Sequence, residues 1–386
     1  MSDFIPLSVP HLEGHEWDYV KECLDTEWVS TAGRFVNKFE DDIRRFTGAK
    51  RAVACVNGTS ALYIALMIAG VRAGDEVLVP TLTFIATINA AGYLGAAPVF
   101  MDCDAFYGLD VEKTVDFIAK ETIHKNGVTL NKTTGRKISA VLPVHVFGNA
   151  VDLAALTGIC RERGIKIVED ATESLGTVYG QGPLAGRHAG AIGDLGCLSF
   201  NGNKIITTGG GGMILTDDAD LAEKARYLTT QAKNDEVRYI HDEIGYNFRL
   251  TNIQAALGVA QLEKLPEYLA VKKRNYEAYK RSLDPVPGLH LAETPPYARN
   301  NHWMYALQID KSAYGKDREE IMAALAEDNI QTRPVWYLNH LQKPYRACQA
   351  YKIEKAIELW EKTLNIPCST NLKPGDIERV VAHLKK

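Results

Sequence analysis

The sequence predicts an α/β fold on a mostly parallel sheet, and three observations carry that prediction. Short apolar runs alternate with amphipathic helical stretches from the N-terminus to beyond residue 216. Those runs are near-continuously hydrophobic, the mark of strands covered on both faces. Polar residues able to do chemistry, Asn57-Gly58-Thr59-Ser60, Asp170 and His145, fall at the C-terminal ends of the runs, where open α/β sheets place their ligand crevice.

Taken in order, His15–Asp25 has a helical period with Trp17, Val20 and Leu24 on its apolar face. After a break over 28–33, Val36–Phe46 resumes the period with Phe39, Ile43 and Phe46 inward. Ala52–Val56 reads as a strand, and Asn57-Gly58-Thr59-Ser60 leads into a helix over Ala61–Ala69. The free N–H groups at such a helix start suit an anion, and the same residue types serve equally as structural caps. Strands over Glu76–Pro80 and Ala97–Met101 flank a helix over Phe84–Leu94. The polar insert Lys120–Lys137 reads as an exposed hairpin or loop. A strand over Lys137–Val146, a helix over Leu153–Arg163 and a strand over Ile165–Glu169 ending at Asp170 follow.

Residues 193–216, GDLGCLSFNGNKIITTGGGGMILT, are the stretch around which the chemistry is organised. Strand-like runs Leu195–Phe200 and Met213–Thr216 enclose Lys204 and the glycines Gly209 to Gly212. Four consecutive glycines imply a backbone path or close approach that side chains forbid. Asn203 precedes Lys204 and Ile205 follows it, so no P-loop is present; Ile214 stands where G-x-G-x-x-G needs its third glycine. The nearest charged neighbours of Lys204 are Asp194 and Asp217, a setting in which an amine is partly desolvated and works as a Schiff-base nucleophile.

Beyond it, a helix runs from Ala219 toward Gln231, and Asn234–Gly245 is a charged loop. GYNFRLTN, 245–252, caps a helix over Ile253–Leu265 that Pro266 punctuates before a second helix through Leu283. After the proline-rich stretch Asp284–Asn301 come a strand over Trp303–Ile309, a helix over Arg318–Asp328, an extended run Arg333–Trp336, and helices over Ile353–Leu364 and Gly375–Leu384. A large cofactor-binding domain over 1–265 and a smaller α+β domain over 266–386 are expected.

Composition excludes several function classes. With 46% hydrophobic and 24% charged residues the chain is an ordinary globular protein. A net charge of −4 gives no support for nucleic acid or a membrane surface. No apolar stretch approaches the ~20 residues that span a bilayer, and the N-terminus lacks the pattern of a signal peptide. The seven cysteines are scattered with no CxxC pair, which argues for reduced thiols in a cytoplasm and against a zinc site; no metal is expected.

Pyridoxal phosphate needs a lysine, a carboxylate on the pyridine nitrogen, a phosphate cup and a flat apolar partner. Lys204, Asp170, the set Gly58, Thr59, Ser60 and Ser199, and Phe84 are the candidates, in an order that fits an alternating α/β chain.

At these residues the chain resembles the DegT-type sugar nucleotide aminotransferases of fold type I. The resemblance rests on 57–61, NGTSA; on 80–84, PTLTF; on 169–176, EDATESLG; on 199–204, SFNGNK, with its glycine tail; and on 245–249, GYNFR. It implies Lys204 as the Schiff-base lysine, Asp170 on the ring nitrogen and Glu173 beside the ring. It implies a ping-pong exchange with L-glutamate, and homodimers in which Asn247 reaches the phosphate in the neighbouring subunit. Members with histidine in place of the lysine dehydrate sugars; Lys204 favours transamination. The wording of 201–212 is similar to the branch acting on UDP-4-keto-6-deoxy-N-acetylglucosamine, toward bacillosamine or legionaminic acid. GDP- or dTDP-linked keto-sugars, or a non-catalytic regulatory role, are the alternatives. Trp28, Arg333, Trp336, Tyr337 and His340 are the candidate binders of the nucleotide sugar.

Overall fold

The computed structural model describes residues 3–235 and 237–385. Its central sheet has eight strands in the order Arg51–Cys55, Gly212–Thr216, Leu195–Ser199, Lys166–Asp170, Ile138–Val141, Glu76–Pro80, Ala97–Met101 and Ala350–Tyr351. Gly212–Thr216 runs antiparallel to both its neighbours, and every other adjacent pair from Leu195–Ser199 onward is parallel. The mostly parallel α/β sheet is therefore as the sequence predicts.

Alternation along the strands builds two cores. Val53, Cys55, Val77 and Val79 point to the face covered by helices Gly58–Ile68, Ile85–Tyr93 and Ala219–Thr229. Ala52, Ala54 and Leu78 point to the other, packed by Arg34–Thr47, Val111–Lys120, Leu153–Arg163 and the first half of the helix Asn252–Leu283. That helix is continuous through Pro266 over 32 residues, so the expected division after 265 falls inside one element. Its capping box, Thr251 with Gln254, fixes the start.

The C-terminal part has its own antiparallel sheet, ordered Leu289–Leu291, Tyr305–Ile309, Thr363–Ile366, Arg333–Pro334. Helices Arg318–Glu327 and Pro374–Leu384 cover it, together with Tyr276, Tyr279 and Leu283 from the end of the long helix. The strand Thr363–Ile366 overturns the helix expected through Leu364: the helix stops at Lys362, and pairing with Tyr305–Ile309 takes the rest.

Other expectations also change. In Glu16–Asp25 the buried residues are Glu16 and Cys23, while Trp17 and Leu24 are 77% and 56% exposed. Glu16 turns inward because its carboxylate accepts from Gly14 N and Gln261 Nε2. Phe39 and Ile43 are buried as expected, but Phe46 is not. The polar insert is a hairpin of Thr122–Lys125 with Val128–Asn131. All seven cysteines are free. Among the described residues no helix is long and apolar enough to cross a membrane.

Candidate active site

A cavity of about 610 Å³ opens at the C-terminal ends of the parallel strands, bounded on its other side by the C-terminal part. The loop between Leu195–Ser199 and Gly212–Thr216 delivers Lys204 to it, turned by the bond from Lys204 N to Asn201 O at 3.0 Å. The glycine run makes that loop possible: Gly209 has φ +76°, and a Cβ on Gly212 would stand 2.5 Å from the backbone of Asn57. Lys204 Nζ lies 4.3 Å from the centre of the Trp303 ring and 3.6 Å from Glu173 Oε1. Trp303 is itself fixed by donating from Nε1 to Asn203 O at 2.7 Å.

Asp170 ends its strand inside the cavity. Its Oδ2 accepts from Thr87 Oγ1 at 2.6 Å and its Oδ1 from Thr172 N at 3.1 Å. Glu173, three residues on, is buried, and its Oε2 accepts from Phe147 N at 2.8 Å. Burial pushes its carboxyl up to about 7, against the opposing pull of Lys204.

At the start of the helix Gly58–Ile68, Asn57 Oδ1 takes the N–H of Ser60 and Asn57 O that of Ala61. The N–H groups of Gly58 and Thr59 remain for an anion. Gly58 faces Ser199 so closely that a Cβ would lie 2.9 Å from Ser199 Cβ and 3.2 Å from Thr172 Cγ2. Lysine, buried carboxylate, open helix start and the half-exposed Phe84 ring line one cavity, and this donor set fits the cationic ring nitrogen, aldehyde and phosphate of pyridoxal phosphate.

Arg333, Trp336 and Tyr337 also line the cavity, the Trp336 ring 6.3 Å from that of Phe84. Other expected residues lie elsewhere. Ser60 lines the adjoining aromatic cavity with Tyr63, Tyr93, Tyr246 and Phe248, its N–H already spent on Asn57. His340 is held behind the site: Nδ1 meets Thr81 Oγ1 at 2.7 Å, and neighbouring Asn339 donates to Thr81 O and Thr83 O. His145 accepts Val151 N–H at Nδ1, so Nε2 carries the proton and donates to Glu169 at 2.9 Å, within the core. Trp28 lines a separate cavity with Glu22, Arg34 and Phe35, its carbonyl taken by Asn252 Nδ2. Asn247 is exposed, its Oδ1 engaged by Arg249, and lies outside the cavity of its own chain.

Sequence reasoning named Asn57 and Thr172 only within their motifs and gave no site role to Thr87 or Trp303. Asn57 carried the ordinary signal of a helix cap. Thr87 and Trp303 carried none, because each meets its partner only through the fold.

Residues 10–385 match the DegT/DnrJ/EryC1/StrS aminotransferase family. A GDP-perosamine synthase of Caulobacter vibrioides is 38% identical, covering 100% of this chain and 99% of the relative. A GDP-perosamine synthase of Escherichia coli O157:H7 is 34% identical over 96% of this chain and 94% of its own length. The crystal structure of DesI with its TDP-sugar product superposes with a TM-score of 0.88 at 28% identity, over 100% of this chain and 93% of that one. With this coverage and the lysine–carboxylate cavity, the chain belongs to the DegT/DnrJ/EryC1/StrS aminotransferase family and is a pyridoxal phosphate-dependent sugar nucleotide aminotransferase.

Proposed function

We propose that the protein moves an amino group from L-glutamate to the 4-keto carbon of a nucleoside-diphosphate-linked 6-deoxyhexose, with a GDP-linked sugar as the first candidate. The observation that carries the reaction is one cavity holding Lys204 beside Glu173 and Trp303, with Asp170, Arg333 and Trp336 in its lining. The GDP preference is supported by relatives named GDP-perosamine synthase at 38% and 34% identity. This moves the leading reading away from the UDP-linked N-acetylhexosamine and the bacillosamine or legionaminic acid branch, which stays as the competing substrate through the wording of 201–212.

When bound, pyridoxal phosphate supplies the electron sink that lets a Cα–H bond ionise. Gly58 and Thr59 N–H with the Ser199 hydroxyl hold its phosphate, Asp170 keeps the ring nitrogen protonated, and Phe84 offers a flat apolar face. Lys204 is the base that lifts the Cα proton from the amino donor and, in the second half, delivers one to the sugar carbon. Among the described lining residues the cations are Lys204 and Arg333, so Arg333 receives the diphosphate, with Trp336 and Tyr337 as stacking surfaces. Asn247 of the partner subunit completes the phosphate site of a homodimer in this reading, in a cytoplasmic enzyme.

The test is a panel of GDP-, UDP- and dTDP-4-keto-6-deoxy sugars with L-glutamate, following 2-oxoglutarate and the amino sugar by mass spectrometry. Turnover confined to UDP-linked substrates overturns the GDP reading. Absence of turnover with every sugar, together with failure of L-glutamate to bleach the visible chromophore, overturns transamination.

A further inference from the structure

Glu173 is a buried carboxyl facing Lys204, and holding a phosphate or a ring nitrogen does not explain it. One of its oxygens is locked. Oε2 accepts from Phe147 N at 2.8 Å, and Phe147 aims that N–H from the left-handed region at φ 57° and ψ 20°. A bulky residue adopts this conformation only at a cost, so the surrounding structure enforces it. The Glu173 backbone is pinned as well, its carbonyl accepting from Asn301 Nδ2 at 2.8 Å. The other oxygen, Oε1, is left facing Lys204 Nζ at 3.6 Å. That is slightly beyond hydrogen-bond length, and a rotation in the flexible lysine stem closes it.

The charged groups facing Glu173 are Lys204 from the glycine-flanked loop and Asp170 from the strand end. Burial and Asp170 favour the neutral acid, Lys204 favours the carboxylate, and the balance sits at about 7.

Resting on the transamination reading, we infer that Glu173 Oε1 is the internal proton acceptor of Lys204. It takes the ammonium proton when the amine must act as a free nucleophile or base, and returns it when the lysine rests as the ammonium. In this transfer an N–H bond breaks and an O–H bond forms, ammonium and carboxylate become amine and carboxylic acid, and the net charge of the cavity is unchanged. The site thereby frees a lysine nucleophile without exporting a proton to water.

Infrared spectroscopy of the full-length, cofactor-free protein tests this directly. A protonated-carboxyl band absent from Glu173→Gln should titrate with a midpoint near 7, and in Lys204→Met that midpoint should rise because the neighbouring cation is gone. A midpoint in the ordinary carboxylate range, or one indifferent to Lys204→Met, overturns the proposal. In the loaded enzyme, 2-oxoglutarate added to the aminated form should restore the visible chromophore about 100-fold more slowly in Glu173→Gln, with bound cofactor unchanged. An unchanged rate also overturns it. If the parent protein never forms the chromophore, the transamination reading has failed instead, and the infrared titration still decides whether the two side chains share a proton.

Discussion

Thr87 donates from Oγ1 to Asp170 Oδ2 at 2.6 Å, joining the first turn of one helix to the end of a strand 83 residues later. Both side chains are buried, so the hydroxyl is what satisfies that oxygen of the carboxylate. Thr87→Val keeps the branched shape and removes the donor. It should destabilise the cofactor-free protein by about 1.5–3 kcal/mol, the worth of a hydrogen bond to a charged group. Thr87→Ser should cost far less. Urea unfolding at pH 7 separates the two, and equal midpoints for Val and the parent would remove the bond from the account of Asp170.

Gly58 makes the sharpest steric prediction. A Cβ there meets Ser199 and Thr172 at 2.9 and 3.2 Å, at the mouth of the helix start assigned to phosphate. Gly58→Ala should weaken cofactor binding at least about 10-fold, which corresponds to ~1.4 kcal/mol. Gly202→Ala, with nothing within 4 Å of the added carbon, is the control in the loop that carries Lys204. Cofactor titration followed by absorbance gives both constants.

How much of this was legible in the sequence depends on whether a residue's role is local. Lys204, Asp170 and the Asn57–Ser60 turn could be placed because strand ends, helix starts and a glycine run are short-range patterns. The glycines were legible as a constraint, and the structure supplies its content in the positive φ of Gly209 and the backbone packed against Gly212. Trp303 was read only as the start of a strand, since its contact with Lys204 spans two parts of the fold. Trp17 and Leu24 form a good apolar stripe, yet the chain buries Glu16, because Gln261 and Gly14 meet its carboxylate. Pro266 looked like punctuation, but packing along both halves of the 32-residue helix carries it through. His340, a candidate binder by residue type, makes its side-chain contact with Thr81 Oγ1, a partner 259 residues away that local sequence does not reveal.

Glu169 stands next to Asp170 in sequence, points the other way, and should behave as its opposite. Burial alone would raise its carboxyl, but His145 and the N–H groups of Gly193 and Gly190 reverse that and hold it below its ordinary value of 4.5. The folded state thus binds fewer protons here than the unfolded chain does. The resulting stability is present in full above the unfolded value and is lost as pH falls through the folded one. Glu169→Gln sets an amide N–H₂ against donors and should cost about 2–4 kcal/mol at pH 7. The gap from the parent should shrink as pH drops below 4.5, the ordinary value of the carboxyl. Urea midpoints at pH 7, 5 and 4 give the curve, and a gap that stays constant would contradict the linkage.

Asn247 lies exposed, outside the cavity of its own chain, at the approach to the helix Asn252–Leu283. In the dimeric reading it belongs to the site of a second copy, and a two-fold axis makes the loan mutual. A chain carrying Asn247→Ala mixed with a chain carrying Lys204→Ala then forms a mixed dimer with both lesions in one site and neither in the other. Each variant alone should be inactive, and the mixed dimer should recover about half the activity of the parent dimer. Purifying the mixed species through two different affinity tags fixes its composition, so incomplete exchange cannot imitate a negative result. If Asn247 instead serves its own chain, every site in the mixed dimer keeps one lesion and no activity returns. An active monomer in sedimentation would end the shared-site reading before any mixing.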